Sequence, residues 1–167
     1  KYASVEVGIT TGSNEFFTVP LTTVEEYALQ DYAKPMVGRS VQVNSVIFTK
    51  SDWEKNKHSK ARAHLLVFPD GKSLNRKNGA VNYIAHGESL GIHKGYKTGI
   101  RNDWFVVPSL KISDALFIRR NNLYPRLIIN QAEAYTTDTM HRVFLRPNTN
   151  IKALTASYYN SLSLAFA

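Results

Sequence analysis

The 167-residue sequence contains no cysteine, which excludes disulfide staples and thiolate zinc sites and suits a reducing cytoplasm. No apolar run approaches the roughly 18 residues that a bilayer-spanning helix needs, and the N-terminus lacks the charged-then-apolar pattern of a secretion signal. A soluble, cytoplasmic protein without membrane contact is the expectation. Closely spaced glycines are missing too: Gly8 and Gly12, Gly87 and Gly91, and Gly95 and Gly99 are each separated by three residues, so no Gly-x-Gly occurs. A nucleotide-like cofactor therefore has no Gly-rich turn to sit on.

Catalytic patterns fail comparable tests. Pro69-Asp70 resembles the start of a metal-dependent nuclease motif, but none of the later acids (Glu88, Asp103, Asp114, Glu133, Asp138) is followed by the required x-Lys. His86, Glu88 and His93 lack the i, i+4 spacing that puts two imidazoles on one helical face. No Gly-x-Ser-x-Gly elbow supports a hydrolase triad. Neither catalysis nor a metal is expected of this chain.

What is present is positive charge on a foldable chain. Lys and Arg number 21 against 13 Asp and Glu, a formal net charge of +8, and an excess of that size favours a polyanionic partner. Hydrophobic residues make up 43% and charged ones 20%, a balance that supports a globule and not a disordered tail. A chain of this length forms one domain and buries roughly 68 to 70% of its unfolded surface.

Apolar periodicity predicts strands at residues 4–9, 41–48, 63–68, 104–108, 115–119, 125–130 and 141–146. Thr23 and Glu26 form a capping-box pattern for a helix reaching about Tyr32, and Ser51 opens a second, highly charged helix. Asn75 is expected to cap a third helix that Gly91 stops, and Asn148, Thr149 or Asn150 a terminal one with Ile151, Leu154, Tyr158, Leu162 and Ala165 on one stripe. Residues 92–103 read as a polar loop. Strands and helices mix without a regular βαβ alternation, so the fold class is α+β or mixed α/β, with a mixed or largely antiparallel twisted sheet flanked by helices. The chain opens on Lys1 and stops inside an apolar stretch, from which the reading expects a C-terminal fragment of a longer enzyme.

Two clusters carry the chemistry of nucleic-acid contact. In residues 92–104, Lys94, Lys97 and Arg101 suit phosphates, Tyr96 and Thr98 interleave with them, and Arg101 also has the fork that pairs with guanine O6 and N7. Arg119, Arg120, Asn121 and Asn122 combine guanidiniums with amides suited to adenine edges. Thr11, Ser13 and Asn14, in a hydroxyl-rich turn, join the candidates. Trp104 is either a base-stacking ring or a core aromatic.

The segment Val7-Gly8-Ile9-Thr10-Thr11-Gly12-Ser13-Asn14-Glu15-Phe16-Phe17 resembles the opening of the C-terminal target-recognition domain of gamma-class, Taq-like, adenine-N6 DNA methyltransferases. Lys97-Thr98-Gly99-Ile100-Arg101-Asn102-Asp103-Trp104-Phe105, the strand through Asn130 and the helix from Ser157 to Ala167 resemble further landmarks in the same order. The resemblance implies a domain that grips double-stranded DNA and reads its sequence in a prokaryotic restriction-modification system. It implies that a catalytic methyltransferase domain in cis binds S-adenosylmethionine and flips the base. Consistently, the six prolines are never adjacent, so the Pro-Pro-aromatic loop that holds a flipped adenine amine is missing here. The alternatives are a structural or protein-docking domain of such an assembly, or a type I specificity-subunit recognition domain.

Overall fold

The computed structural model describes residues 1–75, 79–119 and 125–159. Its larger sheet has five strands in the order β1 (Ala3–Val7), β8 (Met140–Leu145), β6 (Ala115–Ile118), β7 (Leu127–Asn130), β4 (Ile47–Phe48). Every pairing is antiparallel except β4 with β7. A smaller antiparallel sheet places β5 (His64–Leu66) between β2 (Thr18–Val19) and β3 (Ala33–Pro35). The α+β class with a largely antiparallel, mixed sheet is what the sequence leads one to expect.

Alternation along the strands sorts the larger sheet's side chains to two faces. Leu116, Ile118 and Ile128 join Phe48, Val37, Val43 and Met140 on one face, with Trp53 of α3 (Lys50–His58) packed against them. Ala115 and Leu127 point to the other, where Ile151, Leu154 and Tyr158 of α6 (Ile151–Tyr158) cover them. Asn150 caps α6 by accepting from the Lys152 and Ala153 amides, one of the three caps anticipated.

A second core is aromatic. Phe16 and Phe17 of α1 (Asn14–Phe17) meet Tyr83 of α4 (Ala80–Ser89) and Trp104, with Phe16 stacked on Tyr83 at 4.6 Å between centroids. The Tyr83 hydroxyl donates to the Phe16 carbonyl, and burial, the first cause, pushes its pKa up to about 12.

Several local expectations are corrected. The helix α2 (Leu21–Glu26) has Pro20 at its cap and holds Thr23 inside it, because Pro fits a helix entrance without a donor to lose. Thr49, not Ser51, caps α3, in a reciprocal box with Asp52; the Thr49 hydroxyl, donating to Asp52 Oδ2 at 2.6 Å, and then the Thr49 amide hold the Asp52 carboxyl below its ordinary range. The cap position of α4 is Gly79 rather than Asn75. Residues 41–46 do not form a strand, since Ser40–Gln42 is a 3-10 turn held by the Gln42 side chain. Residues 104–108 likewise form no strand, their aromatics being committed to the second core. Leu162 and Ala165 lie outside the described residues.

Two tests follow from this packing. An Ala at position 87 should gain helix propensity of about 1 kcal/mol, yet its Cβ would stand 2.5 Å from the rings of both Phe16 and Trp104. Overpacking of that kind costs about 1–3 kcal/mol, so Gly87→Ala should lower the thermal unfolding midpoint; an unchanged or higher midpoint would show that the contact relaxes freely. His64 is buried against the Trp53 ring, and burial lowers its pKa below the ordinary value. Its unfolded form binds the proton more readily, so this contribution to stability is full above about pH 6.5 and declines as pH falls below that. Urea midpoints at pH 7 and pH 5 should differ less for His64→Gln than for the wild type.

Candidate nucleic-acid interface

The turn after β1 is built by local hydrogen bonding. The Thr11 hydroxyl, buried, donates to Asn14 Oδ1 at 2.7 Å and accepts from the Ser13 amide, while Asn14 Nδ2 donates to Asp138 Oδ1 at 3.2 Å. Gly12 takes φ +88°, and a Cβ there would lie 3.0 Å from Thr98 Cγ2 and 3.3 Å from Lys97 Cβ. The two clusters quoted from opposite ends of the sequence's first hundred residues are thus in contact.

Residues 92–99 prove to be largely helical backbone and not an open loop, with bends following at 101–103. Gly91, at φ 73°, ends α4, and a 3-10 turn (Ile92–Lys94) runs into α5 (Tyr96–Gly99). Thr98 is fully buried, its hydroxyl bonded to the Ile92 and Gly95 carbonyls. Lys94, Tyr96 and Lys97 face outward, with Tyr96 84% exposed. Arg101 turns inward: its guanidinium donates to the carbonyls of Thr10, Thr11 and Trp104 and lies 5.9 Å from the Phe17 ring centroid. Desolvation in that position lowers its pKa. Trp104 packs on Phe16 at 5.1 Å between centroids and donates from Nε1 to Glu88. The geometry makes Arg101, Thr98 and Trp104 the support on which Lys97 is displayed.

Three adjoining clefts run from this support across the molecule. One, of about 250 Å³, is lined by residues 10–14, Lys97 and Asp138. A second, of about 480 Å³, shares Asn14 and adds Arg39, Lys60 and Arg62. A third, of about 470 Å³, shares Asp138 with the first and Gly38, Arg39, Val41 and Thr139 with the second, and adds Arg119. Arg119 is exposed, with one donor 3.4 Å from the Asp138 carbonyl. Arg120, Asn121 and Asn122 lie outside the described residues.

Arg39, Lys60, Arg62, Lys97 and Arg119 are all exposed, and among the described residues none pairs with an acid within 4.0 Å. Among the described residues, Asp138 is the one acid lining the three clefts. Arg39, Lys60 and Arg62 are not signalled by any motif in the sequence, and Arg39 stands far from the Lys60–Arg62 pair. The one local signal was the Lys60-Ala61-Arg62 alternation.

All of the chain, residues 1–167, matches the family described as Type II methyltransferase M.Eco57I, C-terminal domain, and the chain belongs to that family of restriction-modification methyltransferase domains. It is 30% identical over 141 residues to Type II methyltransferase M.AccI of Acinetobacter calcoaceticus, covering 84% of this chain and 25% of that protein. The chain thus spans about a quarter of that relative's length. Among solved structures it is similar to the type IIG restriction endonuclease BpuSI, with a TM-score of 0.47, 13% identity, and coverage of 85% of this chain and 18% of that one.

The support should be separable from the displayed charge. Arg101→Ala leaves three part-buried carbonyls without their donor and should reduce stability by about 1–3 kcal/mol in urea unfolding. Lys97→Ala, on an exposed side chain, should stay within about 0.5 kcal/mol of the wild type. Equal losses for the two would mean that Arg101 holds nothing.

Proposed function

We propose that this chain grips duplex DNA and reads its sequence for an adenine-N6 methyltransferase of a prokaryotic restriction-modification system, working in the cytoplasm. The observation that supports the reading above all is the run of five exposed cations along three adjoining clefts, none with an acid within 4.0 Å among the described residues. Cations so spaced neutralise phosphates, and the hydroxyls and amides between them (Ser13, Asn14, Thr139, Ser40) suit phosphate and base edges. Membership of a methyltransferase C-terminal family fits a domain that holds DNA while another part performs the transfer. The choice of adenine rests on the resemblance of residues 7–17 and 97–105.

On this reading S-adenosylmethionine belongs to a catalytic portion in cis. The sequence has no Gly-x-Gly turn, and no step of the chemistry is assigned to this chain. Of the first-named candidates, Lys94, Tyr96, Lys97, Ser13, Asn14 and Arg119 are proposed to face DNA. Arg101, Thr11, Thr98 and Trp104 are proposed to position them.

Fluorescence anisotropy with a labelled duplex tests the reading. If the cations engage four to six phosphates, the slope of log affinity against log salt should be about −4 to −5, and Lys97→Ala should reduce it by about 1. A slope near zero would count against DNA and for protein docking.

A further inference from the structure

The backbone at residues 38–41 forms a ridge, since Gly38, Arg39 and Val41 line both of the larger clefts. Its base is tied down from four directions. Gln42 Oε1 accepts from the Gly38 and Arg39 amides, both at 2.8 Å, and the Thr139 hydroxyl donates to the Gly38 carbonyl at 2.7 Å. Asn56 Nδ2 donates to the Gln42 carbonyl and Arg126 to the Val43 carbonyl. Val43 and Val37 on either side are buried in the core of the larger sheet.

The tip has the opposite character. Among the described residues Arg39 is exposed with no acid partner, and Val41, at 79% exposed, is the most exposed of the large aliphatic side chains. A valine held out into solvent on a braced turn, beside a free guanidinium, gains nothing for the fold. On either side the clefts carry Lys60 and Arg62, and Arg119, which suit two rows of phosphates flanking a central probe.

Resting on the DNA-reading function above, we propose that residues 38–41 are the base-reading finger, with Arg39 forked onto a guanine and Val41 against a neighbouring thymine methyl. An arginine fork on O6 and N7 is the commonest specific base contact, and the thymine methyl is the apolar feature of the major groove. The bracing matters because a finger ordered in advance does not lose conformational freedom on binding. Lys60, Arg62 and Arg119 fix its register on the backbone without reading sequence.

The test is selection from a randomised duplex library of about 20 base pairs, with bound sequences counted for the wild type, Arg39→Ala, Val41→Ser and Lys97→Ala. The first two changes are on exposed side chains, and far-UV circular dichroism checks that the fold persists. The wild type should enrich a motif. Arg39→Ala should reduce the preference at one guanine by about tenfold or more, Val41→Ser should weaken it at an adjacent thymine, and Lys97→Ala should keep the motif while binding all duplexes more weakly. A wild-type motif that survives Arg39→Ala unchanged overturns the finger and leaves DNA reading standing. Salt-dependent binding without any wild-type motif overturns the finger as well. No salt-dependent binding at all overturns both the finger and the DNA reading beneath it.

Discussion

The two sheets are joined along residues 135–140, a stretch of backbone that is bridged at Tyr135 and Thr137 and turns at 138–139 before entering β8. The Tyr135 amide donates to the Pro35 carbonyl and its carbonyl accepts from Val37, while the Thr136 and Met140 carbonyls accept from Ile9 and Gly8. The seam leaves no room for a side chain at Gly8, where a Cβ would come within 1.9 Å of the Thr137 carbonyl oxygen. Buried backbone groups must find partners, so this segment sets how the strand after β1 and the strand β3 approach. Asn130 secures it from below, its side chain bonding to the Ser113 and Ala134 carbonyls and the Ala134 amide. From the same seam Asp138 and Thr139 project into the clefts and fasten the Asn14 turn and the Gly38 ridge. The candidate interface is therefore assembled on the joint between the sheets and not on either sheet alone.

Charge and support are divided between different side chains. Arg101, Arg126 and Arg142 are drawn into backbone networks, Arg126 bonding to the Val43 carbonyl and Arg142 to the Val7 and Ser109 carbonyls and to Glu6. A guanidinium serves this purpose well because it has five donors in a fixed plane and keeps its charge when partly desolvated. The lysines and the remaining arginines of the clefts stay in water, where their field is available to a polyanion.

Legibility in the sequence followed how local each cause was. The runs Leu65-Leu66, Ala115 to Ile118 and Ile128-Ile129 declared buried strands because burial on both faces demands continuous apolar residues. Asn150 and Gly91 declared helix ends through their own side-chain chemistry, or its lack. Val41, Val43 and Val46 looked like a strand, but the Gln42 side chain offered the backbone a nearer partner than any neighbouring strand could. Trp104 to Val107 looked like another, and there the rings of Phe16 and Phe68 took the aromatics instead. The cation-lined clefts were half legible. Lys97 stood in a motif, whereas Arg39, Lys60 and Arg62 meet it only through tertiary contacts that no spacing rule reports.

The pairing of β1 with β8 joins Ala3 to Leu145 and Val7 to His141. With synthesis running from N- to C-terminus at about 5–20 residues per second, β1 emerges before the other described strands of the two sheets and has no partner in the ladder until β8 has been translated. That ladder joins residues far apart in sequence and waits on the same strand as the β6–β8 ladder does, and contacts of such sequence separation slow folding. In the interim Val5 and Val7 stand on an unpaired strand, exposed even in the finished molecule at 61% and 50%, with Lys1 and Glu6 as the nearby charges that discourage edge-to-edge association.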